Sequence, residues 1–327
     1  MARVSVLMPM YKPKAEYLLQ ALESLFAQTE TDWECIIHNQ PWEGDPSDAE
    51  ARVKGPIATY LEDPRVRFVQ GTELRTIGEN WNACLPFATS QYLAYLFYDD
   101  LWEPEYLKTL CDILDAHPSV GFVSANRSYL FEGDSPKEAI YDEATEFMKT
   151  MKPGLHEGIP ELASWISRGL RPNAIGEPSF VVMRKSMVEK AGRFHPTMAQ
   201  FLDAEYWTRS LAVSDWYFEP RTLGKFRVHA VGTSALNAAA GKGLYDRLET
   251  MELAVGLLPP AYRGRAKAAL RRTLAEMIRK YMDRWKKARG GIKTQGGGGS
   301  AAVKKFAMKH PVIMAGAILS ALVGKRA

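Results

Sequence analysis

The stretch SQYLAYLFYDDLWEP, residues 90–104, joins an apolar aromatic run to two adjacent aspartates. Residues 92–98 are few, nearly continuously apolar and rich in aromatic side chains, and this pattern predicts a buried strand. Asp99 and Asp100 then place two like charges at the end of that strand. Because neighbouring like charges repel each other, we expect a partner that offsets the repulsion.

Two interpretations of the aspartate pair remain open from this motif alone. Asp99 or Asp100 could cap a following helix, with Pro104 near its first turn, which accounts for one of the two charges. Alternatively, the pair binds a divalent cation. Mg²⁺ and Mn²⁺ prefer carboxylate oxygens and commonly take one or two from the protein, with substrate phosphates and water completing the shell.

The composition is that of an ordinary globular protein. The 327 residues are 46% hydrophobic and 24% charged, so the chain can bury a sizeable core. Cys35, Cys84 and Cys111 are widely spaced and odd in number, which fits neither a zinc site nor a disulfide framework and favours a reducing cytoplasm. Residues 1–10 lack the pattern of a secretory signal. The longest apolar run, residues 311–324, is shorter than the roughly 20 residues that span a bilayer, which predicts a buried or interfacial helix.

Apolar runs and helical patterns alternate along the chain. Leu18, Leu22 and Leu25 recur at helical spacing after the first apolar run, and such alternation predicts βαβ units with a largely parallel sheet. Asn39 and Asp99 would then lie at carboxyl ends of strands, where open α/β sheets bind ligands. The predicted strands cover residues 3–11, 33–40, 65–71, 92–98, 121–131 and 225–234. Residues 177–194 are predicted to form a strand and then a helix, and further helices are predicted at 80–88 and 201–212. An inserted polar loop is predicted at 132–160.

In this order and spacing, roughly the first 235 residues resemble the family 2 glycosyltransferases, inverting enzymes of the GT-A fold. The fragments that carry the resemblance are VSVLMPMYKPKAEYLLQALESLFAQT, WECIIHNQ, NWNACLPFATSQYLAYLFYDDLWEPEYL, GEPSFVVMRK, AGRFHP, LDAEYWTRSL and FRVHAVGTS. The resemblance implies an α/β, Rossmann-like mixed and mostly parallel sheet with helices on both faces, followed here by a basic helical C-terminal tail. The QxxRW signature of processive synthases is absent, which favours single-sugar transfer over polymerisation.

The resemblance also implies roles for individual acidic residues. Asp100 would bind the divalent ion, Mn²⁺ or Mg²⁺, that bridges the donor diphosphate, and Asp99 would contact the ribose or the metal shell. Asp203 matches the catalytic base that removes the proton of the acceptor hydroxyl, although it could also be a helix N-cap. Glu205 lies about 200° further around a helix and is unsuited to share the role of base. His229 matches a position where some relatives bring a histidine onto the diphosphate or metal, and it could equally be structural.

The residues expected at the nucleotide-sugar, on the same resemblance, are Pro9, Tyr11, Asn39, Arg75, Asn80, Asp99 and Arg227. Tyr11 could pack on the base, and Arg227 could screen phosphate charge. Where the family usually has an aspartate pair that reads the uracil edge, this chain has Asn39 and Gln40. An asparagine carbonyl can accept the base N–H, but its amide also donates, so the donor nucleotide could differ. A UDP-sugar is the expected donor.

Charge is distributed unevenly along the chain. Residues 261–327 hold 17 Lys and Arg against two acidic residues, a net +15, and the preceding residues carry −11 because the whole chain carries +4. Leu270, Leu274 and Ile278 fall on one face of a basic helix in this tail. We expect this helix to lie on an anionic membrane surface, with packing on the acidic body of the protein as the alternative. Nucleic-acid binding is not expected, since the tail lacks a recognised nucleic-acid module.

The sequence therefore predicts a metal-dependent inverting glycosyltransferase that transfers one sugar from a nucleotide-sugar to a glycan or lipid-linked acceptor in surface polysaccharide or glycoconjugate synthesis. We expect it in the cytoplasm, peripherally at the inner face of the cell membrane. Two alternatives remain: a non-catalytic GT-A scaffold that binds nucleotide or glycan, and a sugar nucleotidyltransferase. The predicted GT-A domain covers residues 1–255, with a nucleotide-binding half at 1–118 and an acceptor half at 119–255. It is followed by a basic amphipathic helical region at 256–290, a glycine-rich linker at 291–303 and a short apolar helix at 304–327.

Overall fold

The structure is a computed structural model that describes residues 1–42, 46–132, 139–228, 242–289 and 298–323. The strands of these residues are β1 (Val4–Met10), β2 (Trp33–Asn39), β3 (Val66–Gln70), β4 (Tyr92–Tyr95), β5 (Leu101–Trp102), β6 (Val120–Phe131), β7 (Gly154–His156), β8 (Val181–Arg184) and β9 (Asp215–Val228). The helices are α1 (Ala15–Phe26), α2 (Pro46–Lys54), α3 (Ile77–Asn82), α4 (Tyr106–Ala116), α5 (Ala139–Thr150), α6 (Gly158–Ser167), α7 (Lys185–Ala191), α8 (Leu202–Val213), α9 (Lys242–Leu257), α10 (Pro260–Arg289), α11 (Gly298–Lys309) and α12 (Pro311–Val323).

These strands join one mixed sheet in the order β3-β2-β1-β4-β8-β6-β9-β5, with β7 paired to β9. β1 pairs in parallel with β2 and β4, and β2 with β3, as the alternating N-terminal pattern predicts. β8 runs antiparallel to both β4 and β6, and β5 and β7 run antiparallel to β9. The α/β class with a mixed sheet is confirmed, and parallel pairing prevails in the N-terminal half.

Helices cover both faces of the sheet, as predicted. Because strand side chains alternate between faces, Val6 and Ile37 lie in the core beneath α1 and α4, whereas Leu7 and Ile36 lie in the core beneath α6, α8 and α10. Leu18, Leu22 and Leu25, the predicted stripe of α1, are all buried in the first of these cores. All three cysteines are buried free thiols.

Helix α3 begins earlier than the predicted helix at 80–88. Thr76 and Glu79 form a reciprocal capping box at its N-terminus, which fixes the start of the helix at Ile77. The helix ends at Asn82, and a short 3₁₀ turn, Leu85–Phe87, follows it around Pro86. The prediction was therefore right in type but wrong in its boundaries.

The prediction of an inserted loop at 132–160 is wrong for the residues that the structure describes. This region contains α5, β7 and the start of α6. Ala144 and Met148 of α5 are buried, and the His156 ring of β7 contacts the Trp216 ring with centroids 4.7 Å apart. These apolar contacts come from distant parts of the chain, so the polar composition of the segment gave no sign of them.

The C-terminal helices pack on the body of the protein. Leu270, Leu274 and Ile278 of α10 are buried in the same core as α6 and α9, and α12 packs against α10. The predicted apolar face of α10 is therefore real, but it contacts the protein itself, which is the alternative that the sequence left open. Residues 298–303, predicted as linker, are instead the first residues of α11, whose Phe306 is fully buried.

Exposed cations lie along α10, and we refer to them together as its basic face. Among the described residues this face includes Arg265, Lys267, Arg271 and Arg272, all exposed. No helix in the described part of the chain has both the length and the apolar character needed to cross a membrane.

Candidate functional site

Asp99 and Asp100 lie in a turn that follows β4 at the carboxyl edge of the parallel strands. The Asp100 N–H donates to the carbonyl of Phe97 (3.1 Å), and β5 begins directly after the turn. Helix α4 begins only at Tyr106, with Glu105 in the N-cap position and no side-chain capping bond. Neither aspartate caps this helix, so the capping interpretation is wrong.

Arg227 of β9 holds this turn in place through hydrogen bonds. Its Nε donates to the carbonyl of Asp99 (2.9 Å), and its backbone N–H donates to Oδ1 of Asp100 (3.2 Å). The remaining nitrogens donate to Gln20 Oε1 (2.6 Å) and to the carboxylate of Glu132, and the side chain is only 3% exposed. The structure thus gives Arg227 a positioning role, and its predicted contact with a diphosphate stays a prediction.

The Asp100 carboxyl is buried, whereas Asp99 is partly exposed. Burial, and then the charge of Asp99, raise the pKa of Asp100 well above its ordinary value. Oδ2 of Asp100 has no hydrogen-bond partner among the described residues. A buried carboxylate oxygen without a donor, beside a second carboxylate, is a donor set that fits a hard divalent cation whose shell is completed by phosphate and water.

No wider metal-binding cluster supplements this pair in the part of the chain that the structure describes. Nowhere there do three His, Cys, Asp or Glu side chains converge as a metal site would require. His229, the third predicted ligand, lies outside the described residues. Among the described residues, the side chains that could hold a cation here are those of Asp99 and Asp100.

Asn39, at the end of β2, is fully buried and fixed by two hydrogen bonds. Its Nδ2 donates to the carbonyl of Ala49 (3.2 Å) and to Oε1 of Gln70 (2.9 Å). Its Oδ1 has no hydrogen-bond partner among the described residues. The two acceptors fix the orientation of the amide, so the group that remains available is an acceptor and not a donor.

The neighbouring polar residues fix the loops around the ends of β1 and β2. The Gln40 side chain accepts a hydrogen bond from the backbone N–H of Arg75 (2.9 Å), so it supports the loop before α3. Asn80 Nδ2 donates to the carbonyl of Met10 (3.4 Å), the last residue of β1. Asn39 and Asn80 therefore both lie next to the end of β1, and their predicted contact with a nucleotide stays a prediction.

The other predicted nucleotide residues lie around the same edge of the sheet. Pro9 is paired with His38 in the β1–β2 register, and Tyr11 follows β1 with its ring partly exposed and the Lys12 Nζ 5.1 Å from its centroid. Arg75 is exposed on the rim of a cleft of ≈ 430 Å³. That cleft is lined by His38, Arg75, Glu79, Asn82, Ala83, Pro86, Phe87, Arg193, Phe194 and Pro196.

Asp203 lies in the first turn of α8 and is not its N-cap. Phe201 occupies the N-cap position, so the capping alternative is wrong. Oδ1 of Asp203 accepts a hydrogen bond from the N–H of Ala204 (2.7 Å), and Oδ2 accepts one from Nδ2 of Asn173 (2.8 Å). Glu205 is instead engaged with Arg209 (2.7 Å), which agrees with its predicted exclusion from the role of base.

The proton affinity of Asp203 is suited to acid–base chemistry. Burial, and then the negative charge of Glu177, raise the pKa of Asp203 to about 7, against the opposing effects of backbone N–H groups and Arg127. Glu177 itself pairs with the buried guanidinium of Arg127 at 2.7 Å. A carboxylate with a pKa near neutrality is able both to accept and to release a proton at working pH.

A single segment, residues 173–179, links the Asp203 site to the Asp99–Asp100 turn. Asn173 binds Asp203 at one end, and Ser179 Oγ accepts the N–H of Phe97 (3.1 Å) at the other. Between them, the charge of Glu177 raises the pKa of both Asp100 and Asp203. The structure therefore brings the two predicted carboxylate sites into one region.

Asn173, Glu177 and Arg127 were not predicted from the sequence as site residues. Asn173 and Asp203 are 30 residues apart, so no local spacing connects them. One signal was present: Arg127 lies within a predicted strand, shortly after the apolar run that forms its buried part, and a buried cation requires a nearby anion.

These features define the architecture of the GT-A glycosyltransferases: a mixed sheet covered on both faces, with carboxylates at the carboxyl ends of its strands. The solved structures that share this fold include the following two. Staphylococcus aureus TarS 1–349 in complex with UDP-GlcNAc superposes with a TM-score of 0.60 at 14% identity, covering 84% of this chain and 72% of TarS 1–349. The mannosyltransferase PcManGT of Pyrobaculum calidifontis, in complex with GDP-Man and Mn²⁺, gives a TM-score of 0.53 at 16% identity, covering 99% of this chain and 88% of that chain.

Residues 5–164, just under half of the chain, match the model of glycosyl transferase family 2. This match places residues 5–164 in that family, and the solved structures show that the fold is shared.

Sequence relatives extend over different parts of the chain. An uncharacterized protein of Mycobacterium tuberculosis is 27% identical over 75% of this chain and 73% of its own length. The putative glycosyltransferase EpsE of Bacillus subtilis is 28% identical over 35% of this chain and 39% of EpsE. An uncharacterized protein of Sinorhizobium fredii is 28% identical over 42% of this chain, a match that takes in only 15% of that protein.

Proposed function

We propose that the protein transfers a single sugar from a nucleotide-sugar to a hydroxyl group of a glycan or lipid-linked acceptor, with inversion at the anomeric carbon. The observation that carries this proposal is the 173–179 segment, which holds Asp203 at one end and the Asp99–Asp100 turn at the other. A base for the acceptor and a cation site for the donor are the two groups that such a transfer needs. The family and the fold support the same activity.

In the proposed reaction, Asp203 accepts the proton of the acceptor hydroxyl. The acceptor oxygen then forms a bond to the anomeric carbon while the bond from that carbon to the diphosphate oxygen breaks, and the diphosphate leaves with the bonding electrons. Attack from the face opposite the diphosphate inverts the anomeric configuration. Bound at Asp99 and Asp100, Mn²⁺ or Mg²⁺ would supply positive charge against the departing diphosphate.

The direct test of this proposal is release of nucleoside diphosphate from purified protein given UDP-GlcNAc, GDP-Man and other nucleotide-sugars with Mn²⁺. In the absence of an acceptor, water attacks the anomeric carbon in its place, and we expect slow release of nucleoside diphosphate from one of the donors. Release that is equal for Asp203→Asn and the unmodified protein would contradict the assigned base, and release from none of the donors would contradict the proposed activity.

Because the amide of Asn39 is fixed, we propose that the base of the donor nucleotide carries a ring N–H. A UDP-sugar is the first candidate for this donor. Within the described part of the chain, the side-chain atom of Asn39 that lacks a hydrogen-bond partner is the acceptor Oδ1. Uracil, thymine and guanine each present a ring N–H at the edge where cytosine and adenine present an acceptor. A mismatch leaves two buried acceptors facing each other, which costs about 1–3 kcal/mol.

We therefore expect UDP or GDP to bind about 5- to 150-fold more tightly than CDP and ADP, as that free energy implies. Calorimetric titration of the four diphosphates with Mn²⁺ measures this ratio. Equal affinity for UDP and CDP would contradict the assignment of Asn39.

We also propose that the protein binds anionic membrane surfaces on the cytoplasmic side through the basic face of α10. The apolar side of α10 is already buried, so the attraction rests on charge and not on insertion. Each Lys or Arg near an anionic surface contributes about 1 kcal/mol. Residues 261–327, which include α10, carry a net charge of +15, so an anionic membrane attracts them.

Neutralising two of these cations, Arg265→Gln with Lys267→Gln, is expected to weaken binding to phosphatidylglycerol-containing vesicles by about 2 kcal/mol, or roughly 30-fold. Co-sedimentation with such vesicles, and with neutral phosphatidylcholine vesicles, gives the measurement. Arg52→Gln with Lys190→Gln removes the same charge from exposed positions elsewhere and should have a much smaller effect. Failure of the unmodified protein to co-sediment with anionic vesicles would contradict the proposal. Deleting the tail is a poor test, because it would expose the core that Leu270 and Leu274 complete.

A further inference from the structure

Arg127 and Glu177 form a charged pair next to Asp203 that the proposed reaction does not use. The Arg127 side chain is 1% exposed, and its Nε lies 2.7 Å from Oε2 of Glu177, which is 22% exposed. A buried guanidinium without an anion would be strongly unfavourable, so the pair is held as a unit. It comes from β6 and from the 173–179 segment, two elements distant in sequence.

Gly176 allows this pair to approach the segment closely. Its φ of +98° lies in the left-handed region, and a Cβ at this position would lie only 2.5 Å from Arg127 Nη1. The carbonyl of Gly176 accepts a hydrogen bond from Nε1 of the buried Trp207 (2.8 Å), which fixes the segment to α8. The guanidinium therefore packs against the backbone in a position that only glycine permits.

Asn173 connects this arrangement to the carboxylate. Its Oδ1 accepts the N–H of Gly176 (3.1 Å), so its Nδ2 is turned toward Oδ2 of Asp203 (2.8 Å). The amide orientation follows from this pair of bonds, because a flipped amide would place two donors and two acceptors against each other. Asp203 is thereby held from one side by Asn173 and from the other by its own helix terminus.

We propose that Asn173 and the Arg127–Glu177 pair are positioning residues for Asp203: Asn173 fixes the carboxylate, and the pair sets the charge around it. This inference rests on the proposed role of Asp203 as the base. Neither the pair nor Asn173 would contact the reacting atoms. Their effect would pass through the proton that Asp203 accepts.

The charged groups around Asp203 act in opposite directions. Glu177 raises the pKa of Asp203 and Arg127 lowers it. On α8 itself the nearest charges, Glu205 and Arg209, compensate each other as an ion pair. Asn173 donates to the charged form of the carboxylate, and such a hydrogen bond favours that form.

The test measures the pKa of Asp203 directly, with full-length protein whose aspartates carry ¹³C at the side-chain carboxyl. The Asp203 signal is identified by its loss in Asp203→Asn. Removing the Glu177 charge in Glu177→Gln is expected to lower the pKa of Asp203 by about one unit, and Asn173→Ala is expected to raise it by about one unit. Glu161→Gln, which changes a partly buried glutamate paired with His156 and Arg168, should leave it unchanged.

Opposite shifts in the two variants support the inference, because a merely structural role would not move the pKa in opposite directions. No shift in either folded variant would overturn it. Should Glu177→Gln leave Arg127 unpaired and fail to fold, Asn173→Ala keeps the ion pair intact and tests the inference alone. Failure of the proposed function would appear separately, as no sugar transfer by the unmodified protein or as unchanged transfer in Asp203→Asn, and would leave the measured pKa values unaffected.

Discussion

Replacing Asp203 with asparagine should lower the turnover number for sugar transfer by about 10²–10⁴-fold, the usual contribution of a positioned general base. The amide keeps the size of the side chain and its bond from the Ala204 N–H, but it has no basic oxygen to take the acceptor proton. Nucleotide binding should be nearly unchanged, because Asp203 is assigned to the acceptor. Steady-state kinetics together with nucleotide titration separate the two effects.

The pH dependence should follow from the same residue. The charged form of Asp203 is the active one, so the rate should fall as the pH drops through about 7, the value to which burial and Glu177 raise its pKa.

Asp215→Asn is a matched control for Asp203→Asn, since Asp215 is also partly exposed and accepts one backbone N–H, that of Gly158. An Asp203→Asn variant with the turnover number of the control would remove Asp203 from the mechanism.

Replacing Asp100 with asparagine should abolish the Mn²⁺-dependent part of nucleoside diphosphate binding. Oδ2 of Asp100 is buried without a donor, and the amide that replaces the carboxylate would carry no charge to attract a cation. Burial raises the pKa of Asp100, which means that the surroundings favour an uncharged group, so we expect the variant to fold. Its melting temperature without ligand should stay close to that of the unmodified protein.

The measurement is the shift in melting temperature on adding UDP with and without Mn²⁺. The shift should depend on Mn²⁺ in the unmodified protein and lose that dependence in Asp100→Asn and Asp99→Asn. Asp112→Asn changes an aspartate that pairs with Arg3 and Lys108 far from the turn, and it should behave as the unmodified protein does. A Mn²⁺-dependent shift that survives in both site variants would contradict the metal assignment.

The N-terminal half of the fold was predictable because its signals are local. Each parallel strand is a short apolar run, and Leu18, Leu22 and Leu25 repeat at the spacing of the helix that covers them. Parallel pairing of consecutive strands, β1 with β2 and β2 with β3, is what βαβ units with short connections produce, whereas β4 pairs with β1 and not with β3. The positions of Asn39 and Asp99 at the carboxyl ends follow from the parallel arrangement itself.

The rest depended on contacts that the sequence does not display. Helix α5 buries apolar side chains against parts of the chain that are distant in sequence. The polar composition of residues 132–160 as a whole therefore led to the wrong prediction of a loop. The face of α10 was found from its periodicity, but periodicity does not say whether bilayer or protein covers an apolar face. Asn173 and Glu177 gain their partners only when the 173–179 segment folds against β6 and α8.

The central claim is that one site holds a nucleotide-sugar diphosphate through a cation at Asp99 and Asp100. Calorimetric titration of the purified protein with UDP and GDP, each with and without Mn²⁺, tests it most directly. We predict that at least one of the two diphosphates, UDP first, binds with an affinity that depends on Mn²⁺. Binding of neither, or binding with the same affinity in the absence of the metal, would contradict it.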